Sequence, residues 1–112
     1  MISGAETKKA IEWVEEIYSQ GRDLDWFLDY FINYLRNLYF YALDPRWTRF
    51  AAFSEEDINL IRKRAGLISL SEIKKLINLF LKARKELKMS PIATLPIEIA
   101  IIEAVESLTK DE

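Results

Sequence analysis

The sequence predicts an all-α protein, a compact bundle of about five helices, and three observations carry that prediction. Gly and Pro occur only three times each, and they stand where helices would begin or end. Between them, apolar residues recur at spacings of three and four, the pattern of a helix with one buried face. Four of the five segments also open on a residue suited to cap a helix, namely Asp23, Ser54, Ser69 and Thr94.

The first helix is expected from about Glu6 to Ser19, with Ala10, Trp13, Val14, Ile17 and Tyr18 as its apolar stripe and Gly21 as a stop just beyond. Residues 1–5 are expected to be a linker or remnant, and residues 6–110 one helical domain. The second helix, opened by Asp23 and ended by Asp44-Pro45, carries Leu24, Phe27, Leu28, Phe31, Leu35 and Leu38 on one side. Asp44 to Phe53 has no period and reads as an ordered loop whose Trp47, Phe50 and Phe53 tuck onto the helices. Ser54 with Glu55, Glu56 and Asp57 starts a third helix, acids placed at the positive end of its dipole, and Gly66 closes it. Ser69 and Glu72 form a capping box for the fourth, which carries Leu70, Ile73, Leu76, Ile77, Phe80, Leu81 and Leu87 and should stop near Met89-Ser90, ahead of Pro91. Thr94 caps the fifth, with Pro96 tolerated in its first turn, running to about Leu108. No repeat is visible at the period of a solenoid.

Two of these helices are apolar over more than one face. In the second, the apolar arc reaches roughly 200°, twice the width a core stripe needs. Trp26, Tyr30, Tyr34, Tyr39, Phe40 and Tyr41 widen it, and eight of the 3 Trp, 5 Tyr and 6 Phe fall between Leu24 and Tyr41. In the fifth, Ile97, Ile101, Ala104, Val105 and Leu108 make one stripe, while Leu95, Ile99 and Ile102 make another nearly opposite. Each helix is therefore either central to its own bundle or shared with a second subunit, for which Tyr and Trp are well suited. The candidate contact residues are Tyr30, Tyr34 and Tyr41 on the second helix and Leu95, Ile99 and Ile102 on the fifth.

The 112 residues suffice to bury about 65 % of the unfolded surface, so no staple is needed. With no Cys and no His, thiolate and imidazole metal sites, Cys or Ser/His nucleophiles and a histidine switch are excluded. Gly4, Gly21 and Gly66 are too scattered for a phosphate loop. Glu15-Glu16 and Glu55-Glu56 are adjacent, diverge by about 100° on a helix and converge on no substrate atom. No catalytic residue, metal site or cofactor is expected in this domain. No uncharged run approaches a membrane span, the first residues lack the pattern of a signal peptide, and a cytoplasmic location is expected.

The formal charge of −2 is unevenly placed. Residues 1–57 hold 6 basic and 11 acidic side chains, residues 58–94 hold 9 and 2, and residues 95–112 hold 1 and 5. Lys74, Lys75, Lys82 and Lys85 are the candidate basic patch, read either as a solvated face paired with the acidic flanks or as a surface for phosphate or for an acidic partner. Arg84 falls inside the apolar arc of its helix, where it must snorkel, find a carboxylate or join an interface.

Gly21-Arg22-Asp23-Leu24, then Phe27-Leu28, then Leu35-Arg36-Asn37-Leu38, resembles the G-x-D-x-x-x-F-L … L-R-x-L-L signature of the third domain of the bacterial DNA polymerase III gamma/tau subunit. The likeness continues through the acid-rich third helix, Ser69-Leu70-Ser71-Glu72-Ile73, and Ala83-Arg84-Lys85 to Ser90-Pro91. In the last segment Pro91, Leu95, Glu98 and Ile101-Ile102 occupy the places of the family's N-P-x-L-x-L-E-x-x-L-L. It covers about Lys8 to Leu108 and departs in its aromatic load, with Trp26, Tyr39, Phe40 and Tyr41 where leucines are usual, and in the Trp47 loop.

The resemblance implies an oligomerisation domain that joins its counterparts in the collar of a clamp loader, with ATP bound by two preceding AAA+ domains of the parent subunit. It implies as partners other gamma/tau copies, delta and delta-prime, with room for an accessory protein and only weak or indirect contact with DNA, in a loader that places the sliding clamp on primed DNA. From the residues alone, two other functions stay open: a helical nucleic-acid-binding module using the basic 58–94 segment, and a monomeric adaptor that docks a partner helix in an aromatic groove.

Overall fold

Asp23 has no helical partner for its side chain and instead accepts the backbone N–H groups of Asp25 and Trp26 at 2.9 and 3.4 Å, which starts the longest helix. Ser54 does the same for Asp57, and Ser69 with Glu72 forms the reciprocal capping box expected from their spacing. In the computed structural model, which describes residues 4–50 and 53–109, the elements are α1 (Gly4–Ser19), α2 (Leu24–Leu43), α3 (Glu55–Arg64), α4 (Leu70–Glu86) and α5 (Leu95–Thr109). Among the described residues there is no strand.

Boundaries differ from expectation at two places. α1 begins at Gly4, two residues ahead of Glu6; residues 1–3 of the expected linker, Lys110, and the side chain of Leu108 lie outside the described residues. α4 stops at Glu86 rather than near Met89, because the chain tightens into turns in which the Met89 and Ser90 amides share the Glu86 carbonyl at 3.0 and 3.1 Å. Gly21, at φ 77°, supplies the left-handed turn between α1 and α2.

α2 lies at the centre. Leu28, Leu35 and Leu38 are fully buried beside Ile61 of α3, Ile73 and Phe80 of α4, Ile97 of α5 and Val14 of α1. α4 runs antiparallel to α2, with Phe80 set edge-on to Phe31 at 4.8 Å and Arg84 reaching Asp29 and Asp25 one and two turns up α2. α5 packs on α4 through the small side chains Ala83, Ala100 and Ala104, and α1 closes the other side of α5. The resulting body measures 42 × 35 × 22 Å, its thin dimension about two helix diameters. α1 rests on its neighbours along only part of its apolar stripe, so Trp13 and Tyr18, expected inside, are about half exposed. Leu70 and Leu81 of α4 are likewise partly open.

The loop after α2 is held as the sequence suggested. The Asp44 carboxylate accepts the Arg46 amide and guanidinium at 3.0 Å, a turn that aims Trp47 back at α2. There Trp47 Nε1 donates to Oδ1 of the buried Asn37 at 2.9 Å, while Asn37 Nδ2 donates to the Asn33 carbonyl at 2.8 Å. Phe50 is buried under the guanidinium of Arg62, 5.6 Å from its ring centre.

Trp47→Phe keeps most of the ring and removes the donor, which strands a buried amide oxygen. We expect a loss of about 2 kcal/mol in urea unfolding at unchanged m, and an unchanged midpoint would show that water replaces the indole without penalty.

Candidate subunit interface

α5 has two apolar sides, and its neighbours cover only one. At 100° per residue, Ile97, Ala100 and Ala104 define the buried side, Ile101 turns toward α1, and Glu103 and Ser107 turn toward α4. Leu95, Ile99 and Ile102 fall together on the remaining arc, exposed by 37, 42 and 40 %. Met89, 81 % exposed, adjoins this face, lining a shallow cleft of about 230 Å³ with Leu95, Pro96 and Ile99, and Ile92 is exposed in the same connection. Exposed aliphatic side chains grouped in this way, here with Glu106 on the same arc, are a general feature of association sites, and this face is the candidate. Periodicity located the three α5 residues but not Met89 and Ile92, which sit in a proline-containing connection without a helical period.

Tyr30, Tyr34 and Tyr41 have a different setting. All three are half-buried. The Tyr30 hydroxyl donates to the Asp57 carboxylate, and its ring lies between Trp26 and Phe53 at 5.5 and 5.3 Å. The Tyr34 hydroxyl accepts from Arg64 at 3.1 Å, with its ring edge-on to Phe53, and Tyr41 rests on Phe50 at 6.2 Å. These contacts bind α3 and the preceding loop to α2. Asp57 and Arg64 lie about thirty positions away in sequence, and no local pattern announces them. The hydrogen bond to Asp57, with burial and that carboxylate's charge adding to it, pushes the Tyr30 phenol up to about 12.

Arg84 takes the paired outcome. Its Nε lies 2.7 Å from Asp29 Oδ1 and its Nη1 3.3 Å from Asp25 Oδ1, and the bond to Asp29 holds the guanidinium above its ordinary range. Lys74, Lys75, Lys82 and Lys85 are exposed on one side of α4, Lys75 and Lys82 bordering α5.

One polar feature had no sequence signal. Glu98, in the first turn of α5, has Oε2 buried with no donor. Its carboxyl is held above the ordinary 4.5 first by desolvation and then by the hydrogen-bonding and charge of the Glu15 carboxyl on α1, against the Thr94 hydroxyl bond that lowers it. Two carboxyl groups bond each other only when one of them carries a proton.

The family model for DNA polymerase III subunits gamma and tau, domain III, matches residues 1–112, the whole chain. The chain belongs to this family. No curated protein and no solved structure matches it. Family membership bears out the resemblance carried by Gly21-Arg22-Asp23 and Leu35-Arg36-Asn37-Leu38. It places this chain among the subunits of a replicative DNA polymerase. Among the described residues no cluster of acids could hold a metal, and no helix is long and apolar enough to cross a membrane.

Two predictions concern the titrating groups of this gamma/tau domain. A group whose folded pKa is raised lends stability below its unfolded pKa and loses it as pH rises through the folded value. For Glu98 that loss begins near the ordinary 4.5 and continues upward, so Glu98→Gln should stabilise the fold by about 1 kcal/mol at pH 7 and by much less at pH 4. Urea melts at the two pH values measure it, and a gap independent of pH would exclude the carboxyl pair as its cause. For Tyr30 the window is pH 10 to about 12. Ultraviolet titration of the phenols should show one late group that disappears in Tyr30→Phe, whereas an unchanged number of late phenols would refute the Asp57 bond.

Proposed function

We propose that this domain assembles clamp-loader subunits, with the outward side of α5 as its principal contact. The aliphatic stripe Leu95, Ile99 and Ile102, left open on a helix whose other side is core, carries the reading. Membership of the gamma and tau family supports it, since gamma and tau are subunits of DNA polymerase III. The partners would be further gamma/tau copies, delta and delta-prime, joined in a collar, with an accessory protein able to dock on the same ring. ATP would be held by separate AAA+ domains of the intact cytoplasmic subunit, and this domain would contribute assembly, keeping those modules in ring order so that the clamp can be placed on primed DNA.

The energetics favour a contact centred on α5 but not confined to it. Burial contributes roughly 25 cal/mol per Å², while association costs at least about 4 kcal/mol in lost freedom. A stable contact covers about 800 Å² on each partner, more than three side chains supply, so Met89, Ile92 and the flanks of α1 and α4 must share in it. Tyr30, Tyr34 and Tyr41, committed to α3 and the loop, would support the contact from within rather than meet a partner.

Sedimentation over a concentration series is the direct measurement. The chain should associate as concentration rises, and Ile99→Asp with Ile102→Asp should raise its dissociation constant at least about tenfold without altering the helical circular dichroism. A chain that stays monomeric at high concentration and also fails to bind delta or delta-prime collars would overturn the proposal.

A further inference from the structure

The contact on α5 leaves the lysine-rich side of α4 unexplained. Lys74, Lys85, Lys82 and Lys75 fall within about 100° of arc on α4, with Asn78 and Ser71 between them and no acid on that arc. All four are exposed, and none forms an ion pair among the described residues. The acids of α4 lie beyond the edge of the arc: Glu72 is held in the capping box, where it acts on Lys75 through charge, and Glu86 turns toward the α5 side. Glu103 of α5 shares a cleft with Lys75 and Lys82 and offsets part of their charge. Lys74 to Lys85 spans about 16 Å of helix.

We infer that this lysine ridge of α4 is a binding surface for the phosphate backbone of duplex DNA. Charge complementarity selects a polyanion, and the makeup of the ridge selects which one. Protein interfaces are depleted of Lys at their centres and built on apolar anchors, whereas this arc holds Asn78 and Ser71 at its middle. Single-strand binders line a groove with aromatic rings on which bases stack, and this ridge, with the cleft beside Lys75, Asn78 and Lys82, bears no aromatic residue. What remains is sequence-independent contact with the regular charge of a duplex, to which four flexible ammonium groups are suited. The surface adjoins the outward face of α5 without using its aliphatic residues, so the inference stands independently of the assembly reading.

Fluorescence anisotropy with a labelled 20-base-pair duplex tests it. With three to four phosphates neutralised, affinity should fall roughly 40- to 150-fold between 50 and 200 mM salt. The quadruple variant Lys74→Gln, Lys75→Gln, Lys82→Gln and Lys85→Gln should lose that binding and its salt dependence, with circular dichroism and sedimentation unchanged. Absence of binding at 50 mM salt, binding unaltered in the quadruple variant, preference for a 20-nucleotide oligothymidine, or tighter binding of poly-glutamate than of duplex would each overturn it.

Discussion

A twenty-residue helix that is apolar over more than half its circumference cannot lie at the edge of a small domain, and the fold of this chain follows from satisfying α2 on every side. Leu28, Leu35 and Leu38 take up one side against α3, α4 and α5. The aromatic flank needs a second cover, which α3 and the loop before it provide. The polar atoms on this wide surface set its register: Asn37 finds Trp47, Tyr30 finds Asp57, Tyr34 finds Arg64, and Asp25 and Asp29 find Arg84. These pairings join α2 to the loop, to both ends of α3 and to α4, so a helix defined by apolar excess is positioned by a few directional bonds.

The same excess has a different fate in α5. Both helices carry two apolar sides, yet the second side of α2, apart from Trp26 at 66 % exposure, is largely covered within the chain, while that of α5 is left partly open. The difference lies in what adjoins each helix. α2 is followed by a loop bearing Trp47, Phe50 and Phe53, which returns over it, whereas the described elements packed on α5, chiefly α4 and α1, meet its inner side and leave Leu95, Ile99 and Ile102 open. Apolar arc width reports how much burial a helix requires; it does not say which molecule provides it.

That distinction sets how far the sequence could be read. Caps at Asp23, Ser54 and Ser69 are local chemistry, written in residues two or three apart, and they placed helix starts closely. The early stop of α4 depends on turn bonds around Glu86, and the open setting of Trp13 depends on how far α1 overlaps α5, which are tertiary matters. For the candidate site, Leu95, Ile99 and Ile102 could be grouped by period, but the commitment of Tyr30 and Tyr34 to α3 rests on partners 27 and 30 residues away. The Glu15 and Glu98 pair is more distant still and violates no local rule, since each residue alone is an ordinary helix surface acid.

Charge placement adds a constraint that apolar pattern alone lacks. α4 is tied to α2 by Arg84, whose position within the apolar arc is compensated by two aspartates, and this fixes the rotation of α4 about its axis. Once that rotation is fixed, Ile73 and Phe80 point inward and Lys74, Lys75, Lys82 and Lys85 must all point outward, because they share the opposite arc. The ion pair therefore does more than neutralise a cation near the core. With the buried side of α4 it turns the lysine ridge to solvent beside α5, so that two chemically distinct surfaces lie next to each other on one antiparallel helical pair, and a change at Arg84 would alter the presentation of both.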